Sequence, residues 1–273
     1  MRIKVNDKNK CTNCTHRTCS MNDIIIKSDY NNLKTEQYTC PVKLLEYGLT
    51  QEQLEAGYVD LDKDKNVCVH CCLCVMQCSQ NNLKIENYTY DIKEDFSVLV
   101  KSGEFNAQGP SNVIALSYLN RLFAFAANTN LIRMFKFDGA VLTKTNKRCL
   151  VEVDIGNDSL ECCRRLLADI VLYNHQNDHK INDGLMVLND FPKEGSNEVI
   201  TVIEKIKNFQ ATDRINIYIT TFSLLRYFAL NSNSDMYEYD DLLFNASLDL
   251  KKTYLEKLLY KKLVDSNTIK QIF

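Results

Sequence analysis

The pattern of apolar and polar positions predicts regular elements over the last two-thirds of the chain. Gly109-Pro110-Ser111 marks a break, with Ser111 or Asn112 placed to cap a helix. The run Val113 to Ala127 (VIALSYLNRLFAFAA) is apolar on nearly every side and predicts a buried helix. Leu131 to Phe137, Asp138-Gly139 and Ala140 to Thr143 follow. A turn at Asn146-Lys147 then leads into Cys149 to Ile155 (CLVEVDI), whose β-branched residues predict a strand. A helix is predicted from Asp158 or Ser159 to about Tyr173, with Leu160, Cys163, Leu167, Ile170 and Val171 on one side. Gly184 to Leu188 and Ile215 to Thr221 read as strands, with a helix over Asn197 to Phe209 between them. Asp240 to Phe273 reads as two or three helical segments. The order helix, strands, helix, strand, helix, strand predicts an α/β core, a central mixed sheet flanked by helices, with a helical C-terminal tail.

The first third is organised by cysteine instead. Nine of the twelve cysteines lie within the first 78 residues. Cys68, Cys71, Cys74 and Cys78 form a C-x2-C-x2-C-x3-C run, and Cys11, Cys14, Cys19 and Cys40 lie upstream. Thiolates at the offsets of the second run each take one iron corner of a cubane [4Fe-4S] cluster. A Cys3His zinc site from Cys11, Cys14, His16 and Cys19 is the alternative for the first group. The N-terminus lacks the apolar core of a signal peptide, and no apolar run is long enough to span a bilayer. A cytoplasmic protein without membrane contact is expected, its thiols ligating metal in a reducing compartment. His70 and Cys72 fall outside the repeat and read as outward-facing spacers.

The totals add bounds. A length of 273 residues predicts two domains, about 1–95 and 96–273. Formal charge is −2, with 12 Lys+Arg against 14 Asp+Glu in residues 1–95 and 21 against 21 in the remainder. Neither half therefore carries a global basic field for nucleic acid. With eight glycines, no G-x-G-x-x-G and no P-loop, the chain offers no flavin, nicotinamide or nucleotide loop as a redox partner for a cluster.

One acidic constellation stands out: Asp138, and Glu152-Val153-Asp154 on the next strand. Alternation puts Glu152 and Asp154 on one side, and a hairpin brings Asp138 to them. Such carboxylates bind a hard cation, Mg2+ or Mn2+, that activates water. Other candidates read as structural. Cys149, Cys162 and Cys163 read as buried apolar residues, the last two on different helix faces. Arg164-Arg165 reads as a solvated helix face, with Glu161 paired to Arg165 four residues on. His175 and His179 read as loop residues, and Tyr227, Phe228, Tyr237 and Tyr239 as packing residues.

The cysteine-rich segment resembles a two-cluster bacterial ferredoxin, in which the fourth Cys of each run ligates the other run's cluster. The resemblance implies one cluster on Cys68, Cys71, Cys74 and Cys40 and another on Cys11, Cys14, Cys19 and Cys78. Asp60-Leu61-Asp62 and Leu83-Lys84-Ile85 would be its short flanking strands. The first run is Cys11-x2-Cys14-x4-Cys19, 20 residues separate Cys19 from Cys40, and Ser79 stands where the family has proline. Residues 111–222 resemble the PD-(D/E)xK nuclease superfamily, with its helix–strand–strand–strand–helix–strand core. There Asp138 would be the first acid and Glu152 the second, both holding Mg2+ or Mn2+. Asp154 takes the lysine's place as a further ligand or water-positioning group, with Lys144 and Lys147 as sources of a displaced cation. The resemblances imply an iron–sulfur protein cutting DNA or RNA phosphodiesters in restriction, phage defence or DNA repair. Its partners would be nucleic acid and a redox or defence-system protein. The alternatives are a redox-sensing or electron-transfer subunit, whose second domain docks a partner, and a non-catalytic nucleic-acid subunit with a structural cluster.

Overall fold

The computed structural model describes residues 2–12, 27–28, 34–35, 51–60, 71–76, 78, 80–86, 108–123, 125–128, 137–154, 159–178, 180–192, 199, 201–203, 205, 215–231, 237–246 and 251–267. The chain divides into two compact units, Met1–Lys27 with Thr35–Asp91, and Ser28–Lys34 with Ile92–Phe273. Two further two-residue strands, β2 (Lys27–Ser28) and β3 (Lys34–Thr35), pair with each other.

The first unit is built on β1 (Arg2–Val5), which lies between β4 (Tyr58–Asp60) and β5 (Leu83–Glu86), antiparallel to both. Alternation along β1 buries Ile3 and Val5 and leaves Lys4 exposed. Ile3 and Val5 form an apolar cluster with Cys78 and Leu83, against which Cys11, Cys74 and Val75 pack. Three short helices complete the unit: α1 (Lys8–Thr12), α2 (Gln51–Ala56) and α3 (Leu73–Met76). Asp7 starts α1 by accepting the Asn9 N–H at 2.9 Å, an ordinary N-cap bond. Gly57 carries the chain from α2 into β4 at φ +78, and its carbonyl accepts the Val5 N–H at 2.8 Å.

The second unit is a six-stranded mixed sheet with helices, in the order β11-β10-β9-β8-β7-β6. Helix α4 (Gln108–Leu122) precedes a meander of β6 (Phe125–Asn128), β7 (Gly139–Leu142) and β8 (Arg148–Asp154), each antiparallel to the next. Helix α5 (Ser159–Gln176) crosses to β9 (Asp183–Leu188), parallel to β8, and β10 (Asn216–Thr221) extends the parallel half. Then come α6 (Phe222–Asn231), α7 (Tyr239–Leu242), the edge strand β11 (Phe244–Asn245) antiparallel to β10, and α8 (Lys251–Tyr260). The predicted mixed sheet with flanking helices is therefore present.

Several elements differ from the sequence pattern. Helix α4 begins at Gln108, before Pro110, because first-turn N–H groups have no acceptor within the helix and proline costs nothing there. It ends at Leu122, and Phe125–Asn128 pairs with β7 instead of continuing it. A run apolar on all sides carries no period with which to separate buried helix from buried strand. The inner face of α5 is Cys162, Cys163, Leu166, Asp169 and Ile170, while Val171 is 57% exposed, so the face is rotated from the predicted one. Cys162 and Cys163 are both fully buried. The tail is not wholly helical, since β11 closes the sheet edge. Most of the predicted 197–209 helix and all of 131–136 lie outside the described residues.

The β7–β8 hairpin turns through three residues, Lys144 to Asn146, with Asn146 left-handed at φ +64 and the Thr143 N–H bonded to the Lys147 carbonyl at 3.0 Å. The buried hydroxyl of Tyr239 bonds the carbonyls of Val141 and Lys147 at 3.0 and 2.8 Å, tying α7 to this hairpin. On the other side, α5 approaches β9 closely at Gly184. A Cβ there would stand 2.8 Å from Ile170 Cδ1 and 2.9 Å from Leu166 Cδ2. Gly184→Val is therefore expected to lower stability by about 1–3 kcal/mol through overpacking, measured by urea unfolding. An unchanged midpoint would mean that α5 is not held against β9 in this way.

Candidate functional site

Strand register builds the acidic site. Gly139 lies opposite Val151, so Asp138 enters the hairpin one step beyond, beside Glu152. The Asp138 N–H donates to the Val151 carbonyl at 3.1 Å, and its Oδ2 accepts the Val153 N–H at 2.8 Å. Its Oδ1 accepts from Asn112 Nδ2 on α4. Glu152 is only 4% exposed, and its Oε2 is buried without a hydrogen-bond partner. Arg165 reaches over from α5: its Nε stands 2.6 Å from Glu152 Oε1, and its Nη2 donates to Asp154 Oδ2 at 3.1 Å. Glu152 and Asp154 thus share one strand face, as alternation predicts.

Burial dominates the electrostatics. Desolvation pushes Asp138 up to about 6, against the Val153 N–H, Arg165 and Asn112, which favour its charged form. Glu152 is pushed up to about 8, first by burial and then by the neighbouring Asp138, with Asp169 adding and Arg165 opposing. For Arg165, burial works against the charge, but Glu152 and Asp154 outweigh it and raise its pKa. Two carboxyls beside each other thus resist ionising, although a guanidinium already lies against one of them.

Arg165 is the residue that sequence reasoning misassigned. It is no solvated neighbour of Glu161; that role falls to Arg164, 3.9 Å from Glu161. Asp169, one helical turn beyond Arg165 and buried, and Asn112 were also missed. A signal existed: Asp169 interrupts the apolar face of α5, and Arg165 precedes it by four residues. Lys144 and Lys147 lie at the far end of the hairpin, about 15 Å along the strand from the acids, and supply no cation there. Among the described residues no three His, Cys, Asp or Glu side chains form a group that would enclose a metal ion. Arg165 bridges Glu152 and Asp154, whereas Asp138 is bonded to Asn112 and the Val153 N–H.

In the first unit, Cys11, Cys71, Cys74 and Cys78 are described, while Cys14, Cys19, Cys40 and Cys68 lie outside the described residues, as do His16 and His70. Cys11 and Cys78, 67 positions apart, meet at Asn82 (2% exposed). The Asn82 N–H donates to Cys78 Sγ at 3.3 Å and its Nδ2 to Cys11 Sγ at 2.9 Å. Cys72 is no outward spacer: it is 4% exposed and left-handed at φ +62, with its carbonyl accepting the Val75 and Met76 N–H groups, each at 3.1 Å, as α3 begins. His175 sits on the last turn of α5 rather than in a loop, and His179 lies outside the described residues. No helix among the described residues is long and apolar enough to cross a membrane. No protein family, curated protein or solved structure matches the chain.

Arg165→Met leaves a buried carboxyl without its cation and is expected to cost about 1–3 kcal/mol. Because the folded pKa of Glu152 lies above its unfolded value, the stability of the neutral form is present at low pH and lost as pH rises through about 8. Loss of Arg165 penalises the charged form further, so the deficit is expected to be larger at pH 9 than at pH 6 by urea unfolding. A pH-independent deficit would mean that Arg165 only packs.

Proposed function

We propose that the second unit is a metal-dependent nuclease of PD-(D/E)xK type and that the first is a ferredoxin-like iron–sulfur module. The single observation that carries the nuclease reading is the meeting of Asp138 and Glu152 across the β7–β8 register, beside a buried carboxylate oxygen with no hydrogen-bond partner. The order α4, β6, β7, β8, α5, β9, with an antiparallel meander and then a parallel crossover, supports the same reading. Hard carboxylate oxygens fit Mg2+ or Mn2+, with Asp138 and Glu152 as ligands and Asp154 as a further ligand or water-positioning group. The cation, when bound, supplies Lewis acidity and an activated water. The chain's own residues do the rest. Asn112 and the Val153 N–H orient Asp138, and a cation beside Glu152 would favour the ionised form that burial disfavours. Arg165 provides fixed positive charge where the motif has Asp154 instead of lysine. The substrate class is a nucleic-acid phosphodiester, DNA or RNA, and the context is restriction, phage defence or repair.

For the first unit the donor set fits an iron–sulfur cluster: Cys11, Cys74 and Cys78 gather in one apolar cluster, and thiolates are the ligands such clusters take. One observation favours a second reading of the other unit. The Arg165 bridge already answers the carboxylate charge, which suits a domain that binds nucleic acid without cutting it.

Asp138→Ala and Glu152→Ala are each expected to abolish Mg2+- or Mn2+-dependent cleavage across a panel of DNA and RNA substrates, with cluster absorbance unchanged. Cleavage surviving both changes would remove the nuclease reading. Mn2+ must displace protons from Asp138 and Glu152, so its affinity is expected to rise with pH between 6 and 8, by about tenfold per unit for each carboxyl still protonated. Isothermal titration at three pH values measures this, and a flat profile would place the ion elsewhere.

A further inference from the structure

Asn82 spends every polar atom it has. Its Oδ1 accepts the Asp7 N–H at 2.9 Å, and its Nδ2 donates to the Asp7 carbonyl at 2.7 Å. Its backbone carbonyl accepts the Asn6 N–H at 3.0 Å. The two remaining donors, one from Nδ2 and the backbone N–H, go to the sulfurs of Cys11 and Cys78. The neighbouring Asn81 is left-handed at φ +48, the turn that follows Cys78 and delivers Asn82. Two side-chain bonds to Asp7 and one backbone bond to Asn6 fix Asn82 to the β1–α1 junction.

We infer that Asn82 is a positioning residue for a metal centre shared by Cys11 and Cys78, fixing their two sulfurs and tuning the centre's redox potential by two N–H···S hydrogen bonds. The inference rests on the reading of the first unit as an iron–sulfur module. Each N–H draws electron density from its thiolate and so favours the reduced cluster, which carries one more negative charge. Removing the side-chain donor shifts the potential to more negative values. Placing a carboxylate at the same point shifts it further, because the added negative charge opposes reduction.

The test begins with anaerobic wild-type protein assayed for iron, acid-labile sulfide and zinc. Protein without iron and sulfide, or with zinc alone, overturns the iron–sulfur reading and this inference with it. Given a cluster, Asn82→Ser is expected to lower the midpoint potential and Asn82→Asp to lower it more, with faster loss of iron to a chelator in both. Variants that keep wild-type iron, sulfide and potential overturn the role of Asn82 and leave the cluster reading intact. Wild-type protein labelled with 15N-asparagine avoids any folding defect. Electron spin echo modulation of its reduced cluster is expected to contain an asparagine nitrogen coupling, and its absence overturns the proposal.

Discussion

A carboxyl group buried at the end of a sheet strand needs an answering charge, and the Arg165–Glu152 ion pair supplies it. The pair couples helix α5 to strand β8 at the point where the meander becomes a parallel crossover. One guanidinium lies against Glu152 and Asp154, while Asp138 is held by Asn112 and the Val153 N–H. Burial holds both Asp138 and Glu152 above the usual carboxylate range even with Arg165 in place. Two adjacent carboxyls out of water each penalise the other's charged form, and one guanidinium offsets that only in part.

The scaffold around that pair is arranged to keep it in register. The hairpin cannot slip by one residue, because a slip would turn Glu152 and Asp154 to the opposite face and bury different side chains. Asn146 closes the turn, Tyr239 bonds the strands beside it, and Gly184 lets α5 lie close enough for Arg165 to reach β8. The first unit uses the same economy on a smaller apolar core. Cys11, Cys74 and Cys78 themselves belong to its apolar cluster with Ile3, Val5, Val75 and Leu83, and Asn82 adds a fully bonded polar clamp.

Expectations made from local order fared differently from those that needed spatial neighbours. The strands at β7, β8, β9 and β10 were legible, because their apolar runs are short and bounded by turn residues. The convergence of Asp138 with Glu152 was legible too, since alternation and a hairpin suffice to predict it. The end of α4, the edge strand β11 and the rotation of the α5 face were not. In each case the segment's period was compatible with more than one packing, and only the neighbouring element selected among them.

The sequence by itself determined the cysteine spacing, the acid pattern and the alternation of helices with strands, because these depend on residue type and local period alone. Tertiary structure decided that Arg165 faces inward to the acids and that Lys144 and Lys147 do not. It also decided that Cys72 is buried and that one asparagine joins Cys11 to Cys78. Those outcomes depend on which elements lie side by side, and charge, exposure and sulfur contacts are properties of neighbours that the linear order does not contain.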